Sequence, residues 1–298
     1  MTSTLVEPLL DWYDEHARDL PWRRPDRTPW GVLVSEVMLQ QTPVRRVEPV
    51  WRQWMQRWPT PSDLAAATPG DAVRAWDRLG YPRRALRLHA AATQIRERHE
   101  GQVPTGYAEL LALHGIGEYT ASAVATFAFG QRHAVVDTNV RRVLARAVQG
   151  WPLPAPSLTA AERRLAESAL PDDEPTAGAW SIAVMELGAL VCTARSPRCA
   201  SCPISDQCAW QAAGSPPYDG PTRRAQSWHG TDRQVRGRLL AVLRAATAPV
   251  PLAALVAAVP DADLRDPCQR DRCVVGLLED GLADLTDQGA YCLPGAPE

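Results

Sequence analysis

The chain has 298 residues, 45% of them hydrophobic, enough for a buried core and two domains. Its 32 basic residues, every one an arginine, balance 34 acidic ones. No overall basic footprint points to a nucleic acid, and the lack of lysine removes Schiff-base chemistry at a side-chain amine. No run of about eighteen uncharged apolar residues is available to cross a membrane. The acidic start of the chain lacks the charged-then-apolar order of a secretion signal. Seven cysteines, four of them clustered, indicate a reducing, cytoplasmic setting, with Cys268, Cys273 and Cys292 as ordinary thiols.

In chain order, residues 28–41 read as a helix with Thr28 as N-cap and Pro29 in its first turn. Glu36 on that helix has Val32, Leu33 and Leu39 as its i−4, i−3 and i+3 neighbours. A glutamate on an apolar face is either paired with a base or functional. Helical periodicity continues at 61–67, 71–76, 83–98, 107–113, 120–129, 140–148, 159–170 and 180–191. Between two of these helices lies Leu113-His114-Gly115-Ile116-Gly117. Gly115 and Gly117 permit a tight turn whose N–H groups, with the next helix N-terminus, can cradle a phosphate; a plain helix connector is the simpler alternative. Asp137 follows Val135-Val136 and is placed to cap the 140–148 helix, with Asn139 beside it.

Next come Cys192, Cys199, Cys202 and Cys208, spaced C-x6-C-x2-C-x5-C. Four thiolates this close suit a cubane iron–sulfur cluster or a tetrahedral zinc, but the long outer gaps fit zinc knuckles poorly. Residues 213–231 form a proline- and glycine-rich linker. Helical segments at 232–247, 251–259 and 266–280, then a hairpin turning at Asp287–Gly289, suggest a winged-helix-like module. The expected division is a helical domain over 1–212, the linker, and the module over 232–298. Arg233, Arg236 and Arg244 share one arc of the 232–247 helix, either as a solvated face or as a clamp on DNA phosphates.

Several motifs together resemble the MutY-type adenine DNA glycosylases of the endonuclease III, helix-hairpin-helix superfamily. They are Arg18-Asp19-Leu20-Pro21-Trp22-Arg23, Ser35-Glu36-Val37-Met38-Leu39-Gln40-Gln41-Thr42, Leu79-Gly80-Tyr81, Gly115-Ile116-Gly117, Val136-Asp137-Thr138-Asn139-Val140, Met185-Glu186-Leu187-Gly188-Ala189 and the cysteine run. The resemblance covers residues 8–212 and implies an all-α fold of two helical subdomains, with a 4Fe–4S cluster on Cys192, Cys199, Cys202 and Cys208. It implies a monomer acting on double-stranded DNA that holds adenine opposite 8-oxoguanine or guanine.

By the same resemblance Glu36 protonates the adenine, and Asp137 supports the cationic sugar with Tyr119 and Asn139. Arg18, Trp22, Arg23 and Glu186 line the base pocket. Gln41 and Tyr81 enter the duplex, Gln40 and Thr42 join them in binding DNA, and Gly115 and Gly117 hold a phosphate. His114, Thr138, Pro82 and Ile182 depart from the family pattern, and the tail is too short for the Nudix-like domain that reads 8-oxoguanine in typical relatives. A same-scaffold enzyme for thymine or uracil opposite guanine is the main alternative, and a non-enzymatic DNA-binding regulator a second.

Overall fold

The computed structural model describes residues 3–220 and 228–296, so the expected linker lies partly outside the described residues. The chain is mostly helical: α1 Ser3–His16, α2 Pro29–Leu39, α3 Val44–Arg57, α4 Pro61–Ala66, α5 Pro69–Ala75, α6 Arg83–Arg98, α7 Tyr107–Leu111, α8 Glu118–Phe129, α9 Thr138–Ala147, α10 Ala160–Ser168, α11 Glu174–Leu190, α12 Ala209–Ala212 and α13 Asp232–Ala245. The tail continues with β1 Val250–Pro251, α14 Leu252–Ala257, α15 Gln269–Glu279, β2 Asp284–Leu285 and β3 Ala290–Cys292. Among the described residues no helix is long and apolar enough to cross a membrane.

Local chemistry sets most helix starts. Thr60, Thr68 and Thr159 form reciprocal capping boxes with Asp63, Asp71 and Glu162, satisfying N–H groups that a helix start leaves open. Thr28 accepts from Gly31 N at 3.0 Å, as its sequence position predicts. Besides the single turn of α12, two helices, α1 and α3, escape the periodicity reading, and each of these two contains a proline, Pro8 and Pro49. Proline removes a helical hydrogen bond and normally marks a boundary, so pattern reading stops there.

The chain divides into two compact units. One takes the chain up to Leu33, Thr105–Leu111 and the stretch from Gly117 past the four clustered cysteines. Its core joins Leu9 of α1, Val143 and Leu144 of α9, and Val184 and Leu187 of α11. The other takes Val34–Pro104, Ala112–Ile116 and the tail. There Trp54 meets Trp58 and Trp76 edge-on, with ring centroids 4.9 and 5.5 Å apart.

The tail has three helices and a small antiparallel sheet of order β1-β3-β2, the helix-plus-wing pattern expected of it. Gly289, with φ of 74°, turns the hairpin where the sequence places it. The arginine arc on α13, however, is not a free phosphate clamp. Arg236 pairs with Asp280, and Arg233 lies over the Trp228 ring at 5.0 Å. Arg244 points inward to donate to Val73 O at 2.9 Å, and burial holds its guanidinium down to about 10.

Candidate active site and DNA-facing turns

Asp137 caps α9: Oδ1 accepts from Val140 N at 2.7 Å, and Oδ2 accepts from Asn139 Nδ2 at 2.8 Å. Partly open to solvent yet crowded by protein, the carboxyl is raised above the usual aspartate range, because desolvation outweighs these donors and the Arg142 charge. Asn139 is itself held, since Arg142 Nη2 donates to Asn139 Oδ1 at 2.8 Å. The buried Arg142 also donates to Gly188 O and, through Nε, to Cys192 O, both at 2.7 Å. The contact between α9 and α11 is tight. A Cβ added at Gly188 would lie 2.6 Å from Asn139 Cβ, so only glycine fits against this turn. Tyr119 on α8 is half-buried, and Thr138, bulkier than the family pattern, faces solvent.

Arg18, Arg23 and Glu186 do come together. Glu186, fully buried, accepts from Arg18 Nε at 2.6 Å and Nη2 at 2.7 Å, and from Arg23 Nη1 at 2.9 Å. Those bonds and charges hold its carboxyl below the ordinary range despite burial. Such charge-assisted bonds fix three side chains in one geometry. Trp22 is 4% exposed and packs as a core residue as much as a pocket wall. Ile182 is half-exposed.

In the other unit Glu36 is buried on α2, as its apolar flanks predict. Beyond α2, Gln41 stands exposed with φ of 56°, and Tyr81 is 49% exposed with φ of 48°. Non-glycine residues hold a left-handed backbone only where the surroundings over-determine it. Here a single buried side chain, Arg84, supplies that constraint. It donates to Val37 O, Met38 O and Gln40 O on one turn, at 2.9, 3.0 and 2.6 Å. To Thr42 Oγ1 and to Gly80 O on the other turn it donates at 2.9 and 3.0 Å. Thr42 Oγ1 donates across to Leu79 O at 3.1 Å.

Desolvation lowers the Arg84 guanidinium to about 10, and it lies over the Trp76 and Tyr81 rings at 5.2 and 5.5 Å. Arg84 lies two residues past Pro82, at the start of α6. Gly115 adopts φ of +75°, and an added Cβ would collide with the Arg87 stem. Gly117 is the N-cap of α8, and its Cα faces open space.

All four clustered cysteines line one cavity with Val143, Leu187, Val191, Ile204 and Trp210. Burial first, then the neighbouring thiols, pushes Cys202 up to about 11, so four thiolates here call for a cationic centre to neutralise them. The donor set and the space fit an iron–sulfur cluster. Arg146 binds the loop, donating to Cys192 Sγ at 3.3 Å and Thr193 O at 2.8 Å while lying 4.8 Å from the Trp210 ring centroid. Arg198 donates to Leu190 O, and both it and Arg195 are exposed.

Residues 34–168 match the HhH-GPD superfamily base excision DNA repair proteins, and residues 192–208 match the iron-sulfur binding domain of endonuclease III. Over 287 residues the chain is 54% identical to an adenine DNA glycosylase of Mycobacterium tuberculosis, covering 96% of this chain and 92% of the relative. The chain belongs to the adenine DNA glycosylase family. The Mycolicibacterium smegmatis relative is 53% identical over 298 residues, covering all of this chain, its C-terminal module included, and 98% of the relative. The human relative is 42% identical over 214 residues, 67% of this chain and 38% of that protein.

Among solved structures, a thermostable thymine-DNA glycosylase aligns with TM-score 0.63 and 25% identity over 71% of this chain and 97% of that one. A trapped endonuclease III–DNA covalent intermediate aligns with TM-score 0.61 at 22% identity, over 72% and 98%. The latter likeness supports the fold alone.

Proposed function

We propose that the protein is a monofunctional glycosylase of base excision repair. On this reading it binds duplex DNA as a monomer in the cytoplasm and hydrolyses the bond joining adenine to deoxyribose where adenine faces 8-oxoguanine or guanine. What carries the reading is the near-full-length relation to adenine DNA glycosylases, together with two carboxyls in different surroundings. Glu36, buried on α2, is the acid that protonates the flipped adenine at N7 and then serves the attacking water. Asp137 supports the oxocarbenium-like sugar. Its two donors, Val140 N and Asn139 Nδ2, favour the ionised form that this role needs. Tyr119 completes that side.

The Arg18–Glu186–Arg23 array fixes one wall of the base pocket with Trp22. Gln41 and Tyr81 form the wedge, exposed and pre-set, so inserting them costs little ordering, while Gln40 and the buried Thr42 hold the turn that carries Gln41 to the DNA. The N–H groups at Gly115 and Gly117 take a phosphate. When bound, the 4Fe–4S cluster crosslinks residues 192–208 into a fixed loop. No step passes through it.

Excision should be measured on duplexes holding A:8-oxoG, A:G, T:G or U:G at one position. Release of adenine from the first two, with the others inert, is the expected result. Preferential thymine or uracil release would overturn the reading in favour of an enzyme like the thymine-DNA glycosylase neighbour.

A further inference from the structure

Tyr81 sits in the loop between α5 and α6, and the C-terminal module grips that loop from both ends. Upstream, on α5, Arg74 Nη1 donates to Arg244 O and, at 3.0 Å, to Ala246 O, while Arg244 Nε returns a bond to Val73 O at 2.9 Å. At the first turn of α5, Gly70 N donates to Pro294 O at 2.8 Å, and an added Cβ there would lie 2.7 Å from that oxygen and 2.9 Å from Leu293 Cβ. Downstream, Arg83, the first residue of α6 and two past Tyr81, pairs with Asp280 at 3.1 Å. Asp280 is shared with Arg236 of α13.

None of these contacts involves a surface loop of the module alone. They take its first helix, the end of its last helix and the strand exit beyond β3. The module therefore meets the 34–104 segment on a broad face, and both fall in one compact unit.

We propose that the C-terminal module is a fixed brace for the DNA wedge: Asp280, Gly70 and Arg244 are positioning residues that hold Tyr81 in its left-handed backbone from outside. Arg84 holds the same turn from inside. A left-handed tyrosine is strained and persists where its surroundings over-determine it. Without the brace the Tyr81 turn relaxes, and the wedge must be ordered during each encounter. The module thus acts on insertion and base extrusion rather than on phosphate affinity, which agrees with the inward use of Arg244. The inference rests on the proposed wedge role of Tyr81.

The test is a double-mutant cycle in the full-length protein. Asp280→Asn, Arg83→Gln and Gly70→Ala are each made alone and with Tyr81→Ala. Insertion is read from the fluorescence of 2-aminopurine beside the mispair on duplex binding, and chemistry from single-turnover adenine release. In the Tyr81 enzyme each brace substitution should slow both readouts about 10- to 100-fold, the scale of a small misplacement of a positioned group. Affinity for a matched duplex should change less than about twofold, and in the Tyr81→Ala background the brace substitutions should add nothing. Unchanged rates in the Tyr81 enzyme, or equal losses in both backgrounds, would overturn the brace.

If one variant melts below the assay temperature, Arg83→Gln, an exposed change, still decides. A parent enzyme that inserts its wedge but releases no adenine would sink the glycosylase reading while leaving the brace standing.

Discussion

Arg142 donates from Nε to the main-chain carbonyl of Cys192 at 2.7 Å, tying the first cluster ligand to the turn that carries Asp137. The same guanidinium reaches Asn139, and Asn139 reaches Asp137, so four residues form one hydrogen-bonded line from the iron–sulfur loop to the carboxyl. A buried cation with several charge-assisted bonds is expensive to remove, about 3–5 kcal/mol where a partner is stranded. Arg142→Gln should lower the melting temperature and cut single-turnover adenine release about 10- to 100-fold. Rates are to be compared per iron-loaded chain. A parental rate at matched iron content would mean that the line is structural only.

The raised Asp137 carboxyl ties stability to pH. A group whose folded pKa exceeds its unfolded value stabilises the fold while protonated. That contribution is complete below the unfolded value, 3.8, and is lost as pH rises through the folded one. Ionised Asp137 therefore costs stability at neutral pH. Asp137→Asn should melt higher than the parent there, with the gap closing as pH falls toward the ordinary aspartate range, and should release no adenine. Melting curves across pH check this; equal melting temperatures at neutral pH would contradict it. Because Asn139 lowers the Asp137 pKa, Asn139→Ala should also shift the acid limb of the excision profile to higher pH.

Glu36→Gln keeps the volume of a buried side chain and removes its proton. Excision should drop about 10²–10⁴-fold, the usual worth of a positioned acid, while duplex binding stays within a few-fold. Burst-free single-turnover assays separate the two. A rate close to the parent would reassign the acid.

Cys199→Ser should lose iron from a parent carrying about four irons per chain, together with its visible absorption. Zinc at one equivalent in the parent would contradict the cluster. DNA affinity should fall as the 192–208 loop loosens, measured by titration at two salt concentrations.

With no lysine in the chain, borohydride added during turnover should trap no covalent complex through a side chain, and the product strand should remain an intact abasic site. A trapped band mapping to any internal peptide would refute the monofunctional reading.

Much of this was legible in the residues. The Asp137 cap, the Thr28 start of α2, the burial of Glu36, the module's three helices and its wing all follow from local pattern, because each depends on neighbours a few residues away. What escaped depends on distance. Nothing near Arg84, Arg142 and Arg146 in the chain marks them as buried, yet each is held among carbonyls 35 or more residues away in sequence for its longest bonds. Gly188 gave no sign of its contact with Asn139, since a helix packed one methyl too close leaves no mark in periodicity. Arg244 escaped for the same reason: it turns inward to Val73 of α5, a partner that sequence alone does not supply.

Arg142 and Arg146 grip the iron–sulfur loop mainly by backbone oxygens, those of Gly188, Cys192, Thr193 and Ala194. Backbone oxygens are the same whatever side chain they carry. Substitutions between the cysteines therefore leave this grip untouched, whereas one residue inserted after Val191 would slide the Cys192, Thr193 and Ala194 carbonyls along by about 3.5 Å and break their bonds, leaving Arg142 on Gly188 and Asn139 and Arg146 on Pro152. The loop is free to drift in composition but not in length, and that is why its spacing, rather than its residues, is the part a reader of the sequence can recognise.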